Sequence, residues 1–237
     1  ELLAQRDAVI GELGELLGRR RGTVRVAAST IPGEYILPPL LAAFRQIEPD
    51  VLVDVRIKDS AGAVADVAAG KCDLGFCGKR DEAGAKMSYT ELWHDELALV
   101  VAPKHAWVRR QAPLDAEALR GADFVERRGG SGTQHAALSL LRELTEGRPP
   151  NHDVVARLDS PTAIKEAVVA GVGAAVLSER SVKRELRDGT LVRIALGVDA
   201  PRRAFYLVSD PRRTLSAIAE VFLAFVRERA GSVDQAR

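Results

Sequence analysis

The chain has 237 residues, 46% of them hydrophobic and 28% charged, with a formal net charge of +1 at pH 7. That is enough apolar material for one large domain or two small ones. Lys and Arg are spread along the chain, so it lacks the concentrated basic face that gripping a nucleic-acid backbone requires. Aromatic residues make up only 5%, too few for stacking platforms on single-stranded nucleic acid. No apolar run reaches membrane-spanning length and no signal peptide is visible. Cys72 and Cys77 flank one short apolar segment. They read as core residues rather than a disulfide framework or a metal site, and they point to a cytoplasmic setting. The chain begins at Glu1 without a Met and reads as a fragment of a longer protein.

In chain order, Leu2, Val9, Leu13 and Leu16 fall on alternating a and d positions of a heptad, with Arg6 in the same seam. This predicts an amphipathic helix that wants an apolar partner, ended by Arg19-Arg20-Arg21 and Gly22. Residues from Thr23 form a buried strand closed by Ser29 and Thr30, and Ile36 to Ile47 has helical apolar spacing. Pro38 and Pro39 then sit early in that helix, where proline is tolerated. Val51 to Ile57 is a second strand, Ala61 to Gly70 a short helix, and Asp73 to Cys77 a third strand. This β-α-β-α-β order calls for a parallel sheet, with the strand ends at Ser29, Ser60 and Cys77-Gly78 gathered on one edge.

A second unit of the same kind is expected from Leu97 onward. Its strands are Leu97 to Val101, Ala122 to Val125, Val154 to Leu158 and Ala174 to Leu177. Its helices are Thr133 to Leu144, Ala163 to Ala170 and Glu179 to Arg187. Pro103 to Arg120 reads as turn and short helix, and Leu191 to Leu196 as extended chain. Ala204 to Val208 is a final strand, Leu215 to Arg229 an amphipathic helix, and Gly231 to Arg237 a fraying tail. The strand-turn-helix device therefore recurs, with hydroxyls at Ser29/Thr30, Ser131/Thr133 and Ser160/Thr162. Each alone reads as a helix N-cap. Together, at helix N-termini with unpaired N–H groups, they suit a small polar or anionic ligand.

Catalytic constellations are poor. Histidines stand at 94, 105, 135 and 152 without HExxH or paired spacing, no Gly-x-Ser-x-Gly elbow occurs, and the Gly129 to Thr133 loop lacks the Lys-Ser/Thr ending of a P-loop. An enzyme is not expected, and neither a metal nor another cofactor is called for. Arg127 and Arg128 read either as a solvated loop or as counter-charges for an anion.

Residues Thr23 to Arg229 resemble the effector-binding domain of LysR-type transcriptional regulators. The resemblance is carried by Val24-Arg25-Val26-Ala27-Ala28-Ser29, by Ala69-Gly70-Lys71-Cys72-Asp73-Leu74-Gly75-Phe76, and by Leu97-Ala98-Leu99-Val100-Val101-Ala102-Pro103-Lys104-His105. Gly130-Ser131-Gly132-Thr133 and the run from Ser160-Pro161-Thr162 to Gly171-Val172-Gly173 add to it. The Gly-Ser-Gly-Thr loop leans towards the regulators of cysteine, sulfur and carbon-fixation genes. The resemblance implies an α/β fold of two Rossmann-like lobes with a ligand cleft between them, periplasmic-binding-protein type II-like. Residues 1–21 would be the C-terminal part of a linker or dimerisation helix, 23–98 with 205–232 the first lobe, and 99–204 the second, with crossovers near Ala98 and Phe205. It further implies a winged helix-turn-helix upstream that contacts DNA, a homodimer or homotetramer, no membrane, and a small-molecule effector (an anion or small acid). The implied effector-binding residues are Ser29, Thr30, Ser60, Arg128, Gly129, Ser131, Thr133, Ser160 and Thr162. Gly78 departs from the relatives, which often carry a ligand-touching side chain there. A transport-type solute-binding protein shares the two-lobed architecture and is the alternative.

Overall fold

The computed structural model describes residues 20–80, 86–128, 132–200 and 202–235. The expected helix over 1–21 lies almost wholly outside them, as do Gly129 and Ser131. The chain divides into two compact units, the second running from Asp95 to Arg203 and the first built from the segments on either side of it.

In the first unit, β1 (Gly22–Ser29) lies between β2 (Val51–Lys58) and β3 (Leu74–Cys77), parallel to both. The sheet continues through β10 (Arg203–Ser209), antiparallel to β3, and ends at β4 (Ser88–Asp95). Val24, Val26, Ala27 and Ala28 of β1 are fully buried, as befits a central strand covered on both faces. The register puts Ser29 opposite Lys58 and Ala28 opposite Phe76, so all three parallel strands end at one edge. Asp73 fixes the start of β3: its carboxylate accepts the Arg25 N–H at 2.7 Å, and its own N–H donates to the Arg25 carbonyl.

The helix after β1 starts earlier than its apolar spacing predicts. Helical conformation begins at Thr30, directly off the strand, passes through a π-helical turn at Pro32–Ile36, and becomes α1 (Leu37–Ile47). Pro38 and Pro39 are therefore not in the first turn. Having no N–H, they cannot bond to the carbonyls of Glu34 and Tyr35, and their rings crowd that turn. The wider π turn, in which the Leu37 N–H reaches the Pro32 carbonyl, relieves the conflict. Gly33 brings the helix onto the strand ends. A Cβ there would stand 3.0 Å from Ile57 Cγ1 and 3.2 Å from Ala28 Cβ.

The short helix α2 (Ser60–Ala68) follows β2, capped by Asp59, whose carboxylate accepts the Gly62 N–H at 2.7 Å. Ser60 thus begins a helix rather than closing a strand. Strand β4 was not foreseen. Its residues alternate poorly in polarity, and only Trp93 and Asp95 of it are buried.

The second unit is less regular than the parallel unit expected. Its strand β5 (Leu97–Val101) pairs antiparallel with β8 (Ala175–Ser178) and β9 (Val192–Ile194). Among the described residues β6 (Asp123–Arg127) and β7 (Asp153–Leu158) form a parallel pair, and Phe124 makes a single parallel bridge to Ala174. Both arrangements bury near-continuous apolar runs, so residue type in β5 and β8 does not reveal strand direction. The helices are α3 (Gly132–Leu144), α4 (Pro161–Val169) and α5 (Glu179–Asp188).

The last helix, α6 (Ala217–Gln235), continues past Gly231, where fraying was expected. A lone glycine costs a helix only about 1 kcal/mol, too little to end it. Phe222 and Phe225 of α6 hold the Phe44 ring of α1 at centroid distances of 5.0 and 5.1 Å. Phe44 is 2% exposed. Phe44→Ala is expected to destabilise the chain by about 3–5 kcal/mol in urea unfolding while leaving the unfolding slope unchanged.

Candidate functional site

Two groups of the expected residues come together, one in each unit. In the first unit they sit where β1, β2 and β3 end. Ser29 is the last residue of β1, 7% exposed, and no hydrogen bond to its hydroxyl is present among the described residues. Thr30 follows at the start of the helix and is 6% exposed. Across the edge, the Ser60 hydroxyl accepts the Gly78 N–H at 3.3 Å, which joins the head of α2 to the end of β3. A helix starting at Thr30 leaves its first N–H groups without intrahelical partners, and the helix dipole favours negative charge there. The edge therefore offers hydroxyls and backbone donors.

Gly78 has a steric explanation. A Cβ at this position would lie 3.1 Å from Phe205 Cε1 and 3.3 Å from Cδ1. Phe205 is 1% exposed on β10, so a large buried ring takes the space a side chain at 78 would need. Beside it, the Cys77 thiol donates to the Lys79 carbonyl at 3.1 Å and is fully buried. Burial pushes its pKa up to about 11 and raises that of Cys72 as well. Both thiols are free and inward-facing. They pack in the core, as the sequence suggested.

In the second unit, the paired ends of β6 and β7 bring Arg128 beside Asp159 and Ser160. The Arg128 N–H donates to the Leu158 carbonyl and its Nε donates to Asp159 Oδ1 at 2.9 Å. Both side chains are largely exposed, so the pair contributes little stability. The Gln134 side-chain oxygen accepts the Arg127 N–H at 3.1 Å, tying the head of α3 to the same edge. Ser160 is the N-cap of α4, accepting the Ala163 N–H at 3.0 Å, which is its plainer role. Thr162 lies exposed in the first turn of α4. Thr133, 6% exposed, accepts from Arg203 Nη1 at 3.1 Å.

That last contact leads to residues the sequence reading did not single out. Arg203 also donates through Nε, at 2.8 Å, and through Nη2 to Asp95 Oδ2. The other carboxylate oxygen, Oδ1, accepts from the Ser178 hydroxyl at 2.8 Å. The Asp95 side chain is 0% exposed and that of Arg203 11%. A buried carboxylate needs such partners, because its lost hydration is otherwise uncompensated. Asp95 and Arg203 are 108 positions apart, and no local motif marks either. Asp95 stands in the polar run His94-Asp95-Glu96 between Trp93 and Leu97, which reads as an ordinary turn.

The comparisons with known proteins agree with this architecture. The family model of the LysR substrate binding domain matches residues 17–231. A protein of Anaeromyxobacter dehalogenans named as a phosphonates import ATP-binding protein is 35% identical over 87% of this chain, which spans 41% of that relative. An uncharacterised HTH-type transcriptional regulator of Escherichia coli, YeiE, is 28% identical over 90% of this chain and 71% of its own length. The CcmR regulatory domain of Synechocystis, solved in complex with 2-PG, superposes with a TM-score of 0.78 at 23% identity. The superposition covers 89% of this chain and 98% of that one, and shows the fold. The chain belongs to the LysR substrate-binding-domain family. Its fold is the α/β, two-lobed, periplasmic-binding-protein type II-like one, and the family is one of regulator domains rather than an enzyme class.

Cys72 and Cys77 are expected to resist a thiol reagent such as DTNB at pH 7.5 in the native chain and to react together in guanidinium chloride. Rapid labelling of either thiol without unfolding would contradict the buried, protonated state described.

Proposed function

We propose that the chain is the effector-sensing part of a longer LysR-type regulator, which binds a small anion or acid. The observation that carries the reading is Ser29. Its hydroxyl has no hydrogen-bond partner among the described residues, and it stands at the edge where β1, β2 and β3 end beside a helix N-terminus. A hydroxyl not already taken by the protein is available to a ligand oxygen at this edge. The proposed effector contacts are Ser29, Thr30 and Ser60 in the first unit and Arg128, Gly129, Ser131, Thr133, Ser160 and Thr162 in the second.

In this reading a segment upstream of residue 1 carries the DNA-binding helix-turn-helix, the protein works in the cytoplasm as a homodimer or homotetramer, and the chain is not an enzyme. Effector binding favours one lobe arrangement and so shifts oligomer geometry on DNA, for which a coupling of about 1–3 kcal/mol suffices. The similarity to a domain solved with 2-PG supports an acidic ligand. The second reading is a transport-type solute-binding protein, to which the relative named as a phosphonates import ATP-binding protein lends a link with import. The two readings part at the sequence preceding residue 1: a helix-turn-helix supports the first and a signal peptide the second.

The ligand class is tested by thermal shift with sulfate, thiosulfate, phosphate, 2-PG, O-acetylserine and small carboxylates, against a neutral sugar and a neutral amide. An acid at about 100 times its Kd is expected to add about 2.7 kcal/mol of stability. Ser29→Ala should abolish that gain while melting cooperatively. Shifts produced by the neutral compounds alone would contradict the anion reading.

A further inference from the structure

The second unit begins at Asp95 and ends at Arg203, and these terminal residues are bonded to each other. The pair does more than close the unit. Asp95 takes both Nε and Nη2 of Arg203 on one carboxylate oxygen, which fixes the plane of the guanidinium. Ser178, at the junction of β8 and α5, holds the other oxygen, and the Ser181 hydroxyl donates in turn to the Ser178 carbonyl at 2.7 Å. With its plane set, Arg203 projects Nη1 onto Thr133 Oγ1 at the head of α3. The contact fixes the Thr133 side chain at the start of that helix.

We propose that Arg203 is a positioning residue of the effector site. Braced by Asp95 and Ser178, it orders the head of α3 and holds Thr133 in place there. This rests on the effector-site reading above. It adds a direction of coupling, because Asp95 closes β4 and Arg203 opens β10, the two strands through which the chain enters and leaves the unit. A ligand that engages Thr133 thereby acts, through one side chain, on both connections.

Arg203→Lys separates positioning from stability. It keeps a cation beside Asp95 but has no planar fork with which to reach Thr133 as well. Thr133→Val removes the acceptor from the other side. The whole chain and its variants are titrated calorimetrically with sulfate, phosphate and 2-PG. Each single variant is expected to melt within a few degrees of the wild type and to lose about tenfold in affinity for whichever probe the wild type binds. The double variant should lose little more than either single one, because both remove the same contact. Wild-type affinity in Arg203→Lys, or independent losses that multiply in the double variant, would overturn the proposal.

Hydrogen exchange provides a readout that needs no ligand. The amides of Ala137 and Leu138, in the second turn of α3, should exchange about tenfold faster in Arg203→Lys than in the wild type, with β5 unchanged. An unchanged α3, or a uniform acceleration through the unit, would refute the ordering role. If no probe binds the wild type, the effector-site reading itself is what fails, and the exchange result still decides whether Arg203 orders α3.

Discussion

Asp95 is a carboxylate with no exposed side-chain surface, and much of the second unit is arranged around satisfying it. Its two oxygens are taken by Ser178 at the end of β8 and Arg203 at the start of β10. Removing one partner of such a pair costs about 3–5 kcal/mol, because the other charge is left buried and uncompensated. Set against a total stability of about 5–15 kcal/mol, that is a substantial fraction. An apolar pair would close the unit as tightly. What the ionic pair adds is direction: the guanidinium has a fixed plane, and one arm of it lands on Thr133.

The two candidate half-sites reach a similar chemistry by different means. In the first unit the donors come from chain geometry, a parallel strand running straight into a helix with Ser29 at the join. The π turn behind it absorbs Pro38 and Pro39, which allows the helix to begin at Thr30. In the second unit charge pairs do the positioning. Arg203 is paired with Asp95 in a buried bridge and Arg128 with Asp159 in an exposed one, and hydroxyls and N–H groups stand beside both pairs. A ligand read in this way gains from oriented dipoles as much as from net charge, which suits small acids of modest size.

Most elements were legible in the sequence because their apolar runs have the right length and their ends carry Gly, Pro or hydroxyl residues. Val24 to Ser29, Val51 to Ile57 and the helix capped by Ser160 are examples. The edge strand β4 was not legible, since an exposed strand has no strong alternation to reveal it. Nor was the antiparallel pairing of β5, because a strand buried on both faces looks the same in either direction. Among candidate site residues, hydroxyls next to helix starts could be picked out locally. Whether each is a cap or a ligand contact could not. Ser160 has an N–H to accept, whereas Ser29 has no partner among the described residues. Asp95 and Arg203 stayed hidden because their pairing exists only after folding brings distant segments together.

The central claim is that an effector meets the chain at the strand-end edge of Ser29 and at the head of α3. Backbone amide NMR during titration with a stabilising acid tests it most directly. The account predicts that the largest shift changes fall on Ser29, Thr30, Gly78 and Thr133, saturating together at one Kd. Saturable changes confined to other surfaces, with these four amides unmoved, would contradict it.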